Sequence, residues 1–433
     1  MAAFSGASVL PTGAARKPVL LLSLGTFALG TDAFVISGVL PRIAHGLGVG
    51  LGAAGQLITI FAAVYALAAP VLAVLTGNWD RRRVLLSAMS VFVVANALAA
   101  TAPDYTVMVV ARVLAALAAA MFTPAASAAA AGLAEPAERG RALAAVLGGL
   151  TVANALGVPL GTLIGQVAGW RATLMFVAAV GAIALAGLGV TLRSMPSQGV
   201  ASLAERVAVA RIPGVPATLA ATALAMCGVF VLYGYLAWFA GVSAGVSGST
   251  LTVLYLVAGI AAVISNLAAG WLIDHMPPTR VAAVGMAGLG VCTLGIAVLG
   301  FVGTGLVVLS VALGLWSVIG WLYNPAQQQR LLGASGARGP IALSLNSSAI
   351  YAGQAVAGGV GALALVHGPG VVALVATAAV ALALLALFVS ARQLAAAGAI
   401  PPSPVNGDSR STPPAPSRSG QVSPREGREC LAP

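Results

Sequence analysis

The sequence predicts an all-α polytopic membrane protein of twelve transmembrane helices in two six-helix pseudo-repeats. Three observations carry that expectation. The 433-residue chain is 60% hydrophobic and 7% charged, with a mean hydropathy of +1.01, far outside soluble norms. Its apolar runs reach the roughly 20 residues that a spanning helix needs, and they are apolar on every face, unlike the alternating strands of a membrane barrel. Away from the ends of these runs stand only two charged residues, Asp32 and Arg112. A charge retained inside a bilayer costs at least about 2.5–3.5 kcal/mol, so both mark function by default.

Taken in order, the expected spans cover residues 18–40, 53–77, 84–102, 106–133, 142–168, 170–192, 215–240, 250–273, 281–300, 304–329, 341–366 and 370–391. The intervening cations set the topology. Fourteen basic residues fall in alternate loops or flanks: Arg16 and Lys17, Arg81 to Arg83, Arg139 and Arg141, Arg193, Arg206 and Arg211, Arg280, Arg330 and Arg338, and Arg392. The opposite loops hold Arg42 and Arg171. By the positive-inside rule both termini face the cytoplasm of a cell-membrane protein. The net charge of +11 therefore reflects topology rather than a nucleic-acid partner.

Residues 193–213 form the longest internal polar break and divide a first bundle, 18–192, from a second, 214–392. Leu203, Val207 and Ala210 keep a helical spacing there, so a short surface helix is expected. A short cytoplasmic segment, 1–17, opens the chain. From 393 to 433 Pro, Ser, Gly and Arg dominate, and the segment is expected to be disordered. Six helices, a linker and six more suggest parallel repeats. Asp80 and Asp274 strengthen that expectation, each standing at a corresponding helix end with cations after it.

Other chemistry is excluded or unsupported. Cys227 and Cys292 lie in spans and Cys430 in the tail, with neither disulfide nor zinc spacing. No cofactor or metal is expected. There is no Walker motif for an ATP-driven pump. Gly50 to Gly55 and Gly241 to Gly245 match a dinucleotide fingerprint and a nucleophile elbow, but neither has the required strand before it. A membrane-embedded enzyme would need clustered acids, nucleophiles or ligands, and the spans hold one carboxylate and no histidine.

The stretches Gly30 to Pro41 and Gly149 to Thr162, followed by Gly169, Trp170 and Arg171, resemble the major facilitator superfamily. Within it the resemblance is to the twelve-span bacterial drug:H+ antiporters, in the branch of chloramphenicol-resistance and arabinose-efflux-type exporters. It spans about residues 18–392. It implies a gating motif at Asp80, Arg81, Arg82 and Arg83, with Thr76 in place of its first glycine, and a counterpart at Asp274. It implies a proton-transfer role for Arg112. It also implies an antiporter motif at Gly148, Gly157, Pro159, Gly161 and Gly165, with proline before Gly161 rather than after it.

The candidate centre is Asp32 with Arg112. At 1.5 Å per residue their depths differ by only a few ångströms. Burial disfavours the charged carboxylate and a nearby arginine favours it, so the pair either couples protons to transport or simply fixes packing. Gly157, Gly161 and Gly165 recur every four residues and offer a face for close helix approach, either as packing or as a seal. Gly353, Gly358, Gly359 and Gly361 offer a counterpart in the eleventh span, whereas Gly187 in the sixth shows no such face. Tyr233, Trp316, Tyr323, Asn324 and Gln327 are candidate substrate contacts or, alternatively, interface anchors. The expected function is proton-coupled efflux of a small apolar or amphipathic compound by a monomer in the lipid bilayer. A sugar or metabolite exporter and a transporter-like sensor are the alternatives.

Overall fold

The structure, a computed structural model, describes residue 11 and residues 15–196 and 201–398. Every regular element among them is helical: α1 Arg16–Gly46, α2 Leu51–Leu75, α3 Arg81–Ala100, α4 Tyr105–Leu133, α5 Arg139–Val152, α6 Val158–Ala168, α7 Trp170–Thr191, α8 Leu203–Ala210, α9 Val215–Gly234, α10 Leu236–Ala244, α11 Ser249–His275, α12 Pro278–Val302, α13 Leu306–Gly320, α14 Tyr323–Ser335, α15 Gly339–Leu365 and α16 Pro369–Ala396, with short 3₁₀ and π turns between some of them. Eleven helical segments are long and apolar enough to cross a membrane, one of them the 60-residue run Leu306–Leu365. At 1.5 Å per residue that run is about 90 Å long, too much for one crossing. It reverses at Gly336, whose φ of +52° lies in the left-handed region that glycine enters without strain. Its two arms bring the crossings to twelve.

Several expected spans are not single helices. The fifth slips into a π segment, Ala153–Gly157, between α5 and α6. Pro159 has no N–H to give the carbonyl of Ala155, so the ladder loosens just before it. The seventh breaks at Tyr235 between α9 and α10, and the tenth at Trp321 and Leu322 between α13 and α14. In the tenth, Pro325 likewise cannot bond back to Trp321. The last helix runs on to Ala396, past the expected boundary at 392. Residues 1–10, 12–14 and the tail from 399, Cys430 included, lie outside the described residues.

The surface helix α8 forms, opened by a capping box in which Ser202 and Glu205 each bond the other's backbone N–H. Its orientation differs from expectation. Leu203 and Val207 stay exposed, while Arg206 and Val209 are buried against the bundle. One apolar core draws on buried residues from Val19 to Leu192. Another runs from Ala221 to Leu387, joined by Val158. The two regions meet where α2 packs along α15 and where α11 crosses the π segment and α6.

Candidate functional site

Asp32 and Arg112 meet at the centre of the bundle. Nη1 of Arg112 donates to Oδ1 of Asp32 at 2.8 Å, with the side chains 1% and 0% exposed. The guanidinium carbon lies 4.4 Å from the centroid of Phe61, so the ring face also receives the cation. Behind Phe61, Tyr351 of α15 stacks on Tyr65 of α2 with centroids 3.7 Å apart. The pairing is incomplete: Oδ2 of Asp32 and Nε and Nη2 of Arg112 are buried without a protein partner. A half-satisfied buried pair is expensive to keep, and a centre of that kind can respond to a proton or a ligand.

The glycine face of the fifth span explains how Asp32 is held. A Cβ on Gly157 would strike Thr31, one on Gly161 would strike Val35, and one on Gly165 would strike Val39. These glycines therefore bring α6 and the π segment against the back of α1, beside Asp32. Gly148 does not share the task; nothing lies within 4 Å of the place its Cβ would take, and Gly149 packs against Ser23 and Thr26 instead. Thr26 and Ser23 donate to the carbonyls of Val146 and Ala145 at 2.6 and 2.8 Å, closing the same seam. Gly187 was expected to lack close packing, but its Cβ would meet Leu21, whereas Gly189 faces open space. Of the eleventh-span glycines, Gly353, Gly358 and Gly361 approach α9, α2 and Tyr235, and Gly359 approaches nothing.

A second seam joins the π segment to α9 and α11. Tyr233 donates to Oδ1 of Asn154 at 3.3 Å. Its ring meets Phe34 of α1, Phe230 and Tyr255. Gly259 admits the backbone of Asn154 and Ala155. The sequence gives no sign of Phe34, Phe61, Tyr65, Asn154 or Tyr351 as site residues. A lone aromatic in an apolar run carries no signal until its neighbours are known.

Of the other expected substrate contacts, Trp316, Tyr323 and Gln327 are buried, as Tyr233 is. Trp316 and Tyr323 are packed in the apolar core, Tyr323 against Gly285 of α12. Asn324 accepts from Gln328 at 3.4 Å. Gln327 serves Arg330, which was expected in a loop but lies in α14 at 6% exposure. Arg330 donates to Oε1 of Gln327 at 2.5 Å and to Ser390 at 2.8 Å.

Asp80 caps α3, accepting from the N–H groups of Arg82 and Arg83 at 2.9 and 3.2 Å. Its other oxygen accepts from the Ser194 hydroxyl and from the N–H of Met195. The Ser194 bond above all, with those backbone donors, holds the carboxyl below its usual range. A lowered pKa stabilises the fold at neutral pH, and that contribution is lost only as pH falls through the lowered value. Arg82 bonds the carbonyl of Gly189 at 2.9 Å. Among the described residues the ion pairs are Asp32–Arg112 and Glu138–Arg141, so Asp80 and Asp274 stand outside any pair, and Asp274 is exposed. Arg81 and Arg206 line a cleft of about 280 Å³ with Thr76, Met121, Pro124 and Ser344. A larger open groove, about 730 Å³, lies around Gly214 and Gln393 and includes none of the expected site residues.

Residues 22–339 match the family model of the Major Facilitator Superfamily. The chain is 33% identical to the MFS-type transporter YbcL of Bacillus subtilis (strain 168) over 79% of its own length and 87% of that protein. It is 34% identical to the chloramphenicol resistance protein of Streptomyces lividans, over 62% of this chain and 69% of that one. Its fold matches a bacterial homologue of the human lysosomal transporter Spinster, described as inward-facing and unoccupied, with a TM-score of 0.68 at 16% identity over 90% and 98% of the two chains. With twelve apolar crossings and a family model that spans most of them, the chain belongs to the Major Facilitator Superfamily, a family of membrane transporters rather than enzymes.

Proposed function

We propose that this protein is a proton-coupled exporter of small apolar or amphipathic compounds. The observation that carries this reading is the buried, incompletely paired Asp32–Arg112 centre. Asp32 is the one carboxylate within the spans, and Arg112 is its switchable counterion. Protonation from the outer side frees Arg112 and favours release of substrate; deprotonation toward the cytoplasm restores the pair and favours reloading. The resistance protein among the relatives supports a drug-like substrate.

Two six-helix halves, 18–192 and 214–392, rock around this centre, with α8 and its flanks as the linker. Their separate apolar cores and the seams of glycine contacts between them support that division. The cleft beside Arg81 and Arg206 opens on the cation-rich side, which the positive-inside rule assigns to the cytoplasm. Asp80 acts in gating by tying the start of α3 to the chain after α7.

In reconstituted vesicles under an imposed pH gradient, Asp32→Asn is expected to abolish gradient-driven transport. Asn keeps the size and a hydrogen bond to Arg112 but cannot cycle between charged and neutral forms. Full gradient-dependent transport by that variant sinks the coupling role. Orientation is tested separately with single cysteines in a Cys-free background. An impermeant thiol reagent should label the exposed positions Pro103→Cys and Gly245→Cys in intact cells but not Gly336→Cys. Strong outside labelling at position 336 reverses the topology.

A further inference from the structure

Gln354 of α15 is 1% exposed, and neither its Oε1 nor its Nε2 has a protein partner. A buried primary amide left wholly unsatisfied is uncommon, because each lost bond costs free energy that packing must offset. Its position is informative. Gln354 lies one turn from Tyr351, and residues three apart on a helix have Cβ atoms about 5–6 Å apart. Tyr351 in turn meets Phe61, with ring centroids 6.4 Å apart, and Phe61 lies under the Arg112 guanidinium. Tyr351 also lies within electrostatic reach of Asp32. On the facing helix, Thr59 packs where a Cβ of Gly358 would lie, and its Oγ1 too is buried without a partner.

Six unpartnered polar atoms thus belong to four side chains on α2 and the three helices packed on it, α1, α4 and α15: Oδ2 of Asp32, Nε and Nη2 of Arg112, Oγ1 of Thr59, and both amide atoms of Gln354. They include donors and acceptors. Asp32 and Arg112 neutralise each other, so the set carries no net charge. Beside it stand the flat faces of Phe61, Tyr65 and Tyr351. The stacked tyrosines join α2 to α15, the same helices whose residues Ala73, Thr76, Ile341 and Ser344 line the cleft. The cleft residues are two to three turns away along each helix, at 1.5 Å per residue.

We propose that Gln354 is a specificity-determining residue of the transport site, recognising a neutral compound that carries a flat aromatic ring and an amide. This rests on the exporter reading and names the substrate class for it. The substrate amide exchanges a donor and an acceptor bond with Gln354 while its ring takes the place that one tyrosine occupies against the other. Access requires α2 and α15 to part at the Tyr65–Tyr351 stack, which alternating access provides.

The test uses the purified full chain in lipid nanodiscs, with chloramphenicol, a neutral molecule that carries a flat nitrophenyl ring and a separate amide, as the probe. Gln354→Met keeps the volume and removes the amide. Its binding should weaken by at least about tenfold, the loss of one to two well-formed hydrogen bonds. Gradient-driven turnover at saturating probe should persist, a rise in KM with kcat retained. A merely structural Gln354 predicts the opposite: removal of an unsatisfied group leaves affinity unchanged and raises the melting temperature. That result, or failure of the wild-type protein to bind chloramphenicol, overturns the proposal. The exporter reading falls by a different result, gradient-driven transport in Asp32→Asn.

Discussion

Two of the buried arginines, Arg112 and Arg330, are held by very different means. Arg112 faces a carboxylate and the face of Phe61, with two of its nitrogens left over. Arg330 has no acid beside it among the described residues; its charge is dispersed into Gln327 and Ser390, and onward to Thr218. Gln327 donates to the carbonyl of Thr218 at 3.3 Å, and Ser390 bonds the carbonyl of Gly214 at 3.1 Å. The Arg330 network fastens α14 to α16 and to the start of α9. It has no group that changes charge in the working pH range. The contrast is between a buried cation whose partner can lose or gain a proton and one whose partners cannot, and the proposed coupling rests on that difference.

The largest effect should come from Arg112→Met. It leaves Asp32 buried and uncompensated, which costs about 3–5 kcal/mol when one partner of a buried pair is removed. Asp32→Asn with Arg112→Met should recover most of that stability in thermal unfolding, yet still lack gradient-driven transport. Recovered transport in the double variant would break the comparison, because the centre would then be packing alone. Gly157→Leu should come next. The added side chain drives α1 off the π segment beside Asp32, and overpacking costs about 1–3 kcal/mol. Transport per folded molecule should fall, while Gly189→Leu, in open space, should match the wild type. Arg330→Met should matter least for transport. Losing the network costs at most about 1–3 kcal/mol, read as lower membrane abundance, with the response to a pH gradient intact. A lost gradient response there would give the two arginines the same role.

The hydropathy of the chain makes the twelve crossings readable, because in lipid every backbone polar group must be satisfied within its own helix. The same penalty makes Asp32 and Arg112 stand out from the residue order alone, and their matched depth makes their meeting reasonable. Arg330 escapes that reading because it follows three glutamines at the end of an apolar run, where a charge is expected to reach water. Gly148 and Gly149 exchange roles for a similar reason. Both fit a small-residue pattern, and only the facing helix decides which one is crowded.

By itself the sequence determined the number of crossings, the depth of the two charges and the small-residue face, since each follows from the local cost of exposing polar groups to lipid. Only the tertiary structure decided which helices face one another. That arrangement puts the glycines against α1 and assembles Phe61, Tyr65 and Tyr351 beside the ion pair, with Gln354 one turn from Tyr351. Apolar and amide side chains acquire meaning there from neighbours more than two hundred residues away, and no local penalty records such contacts.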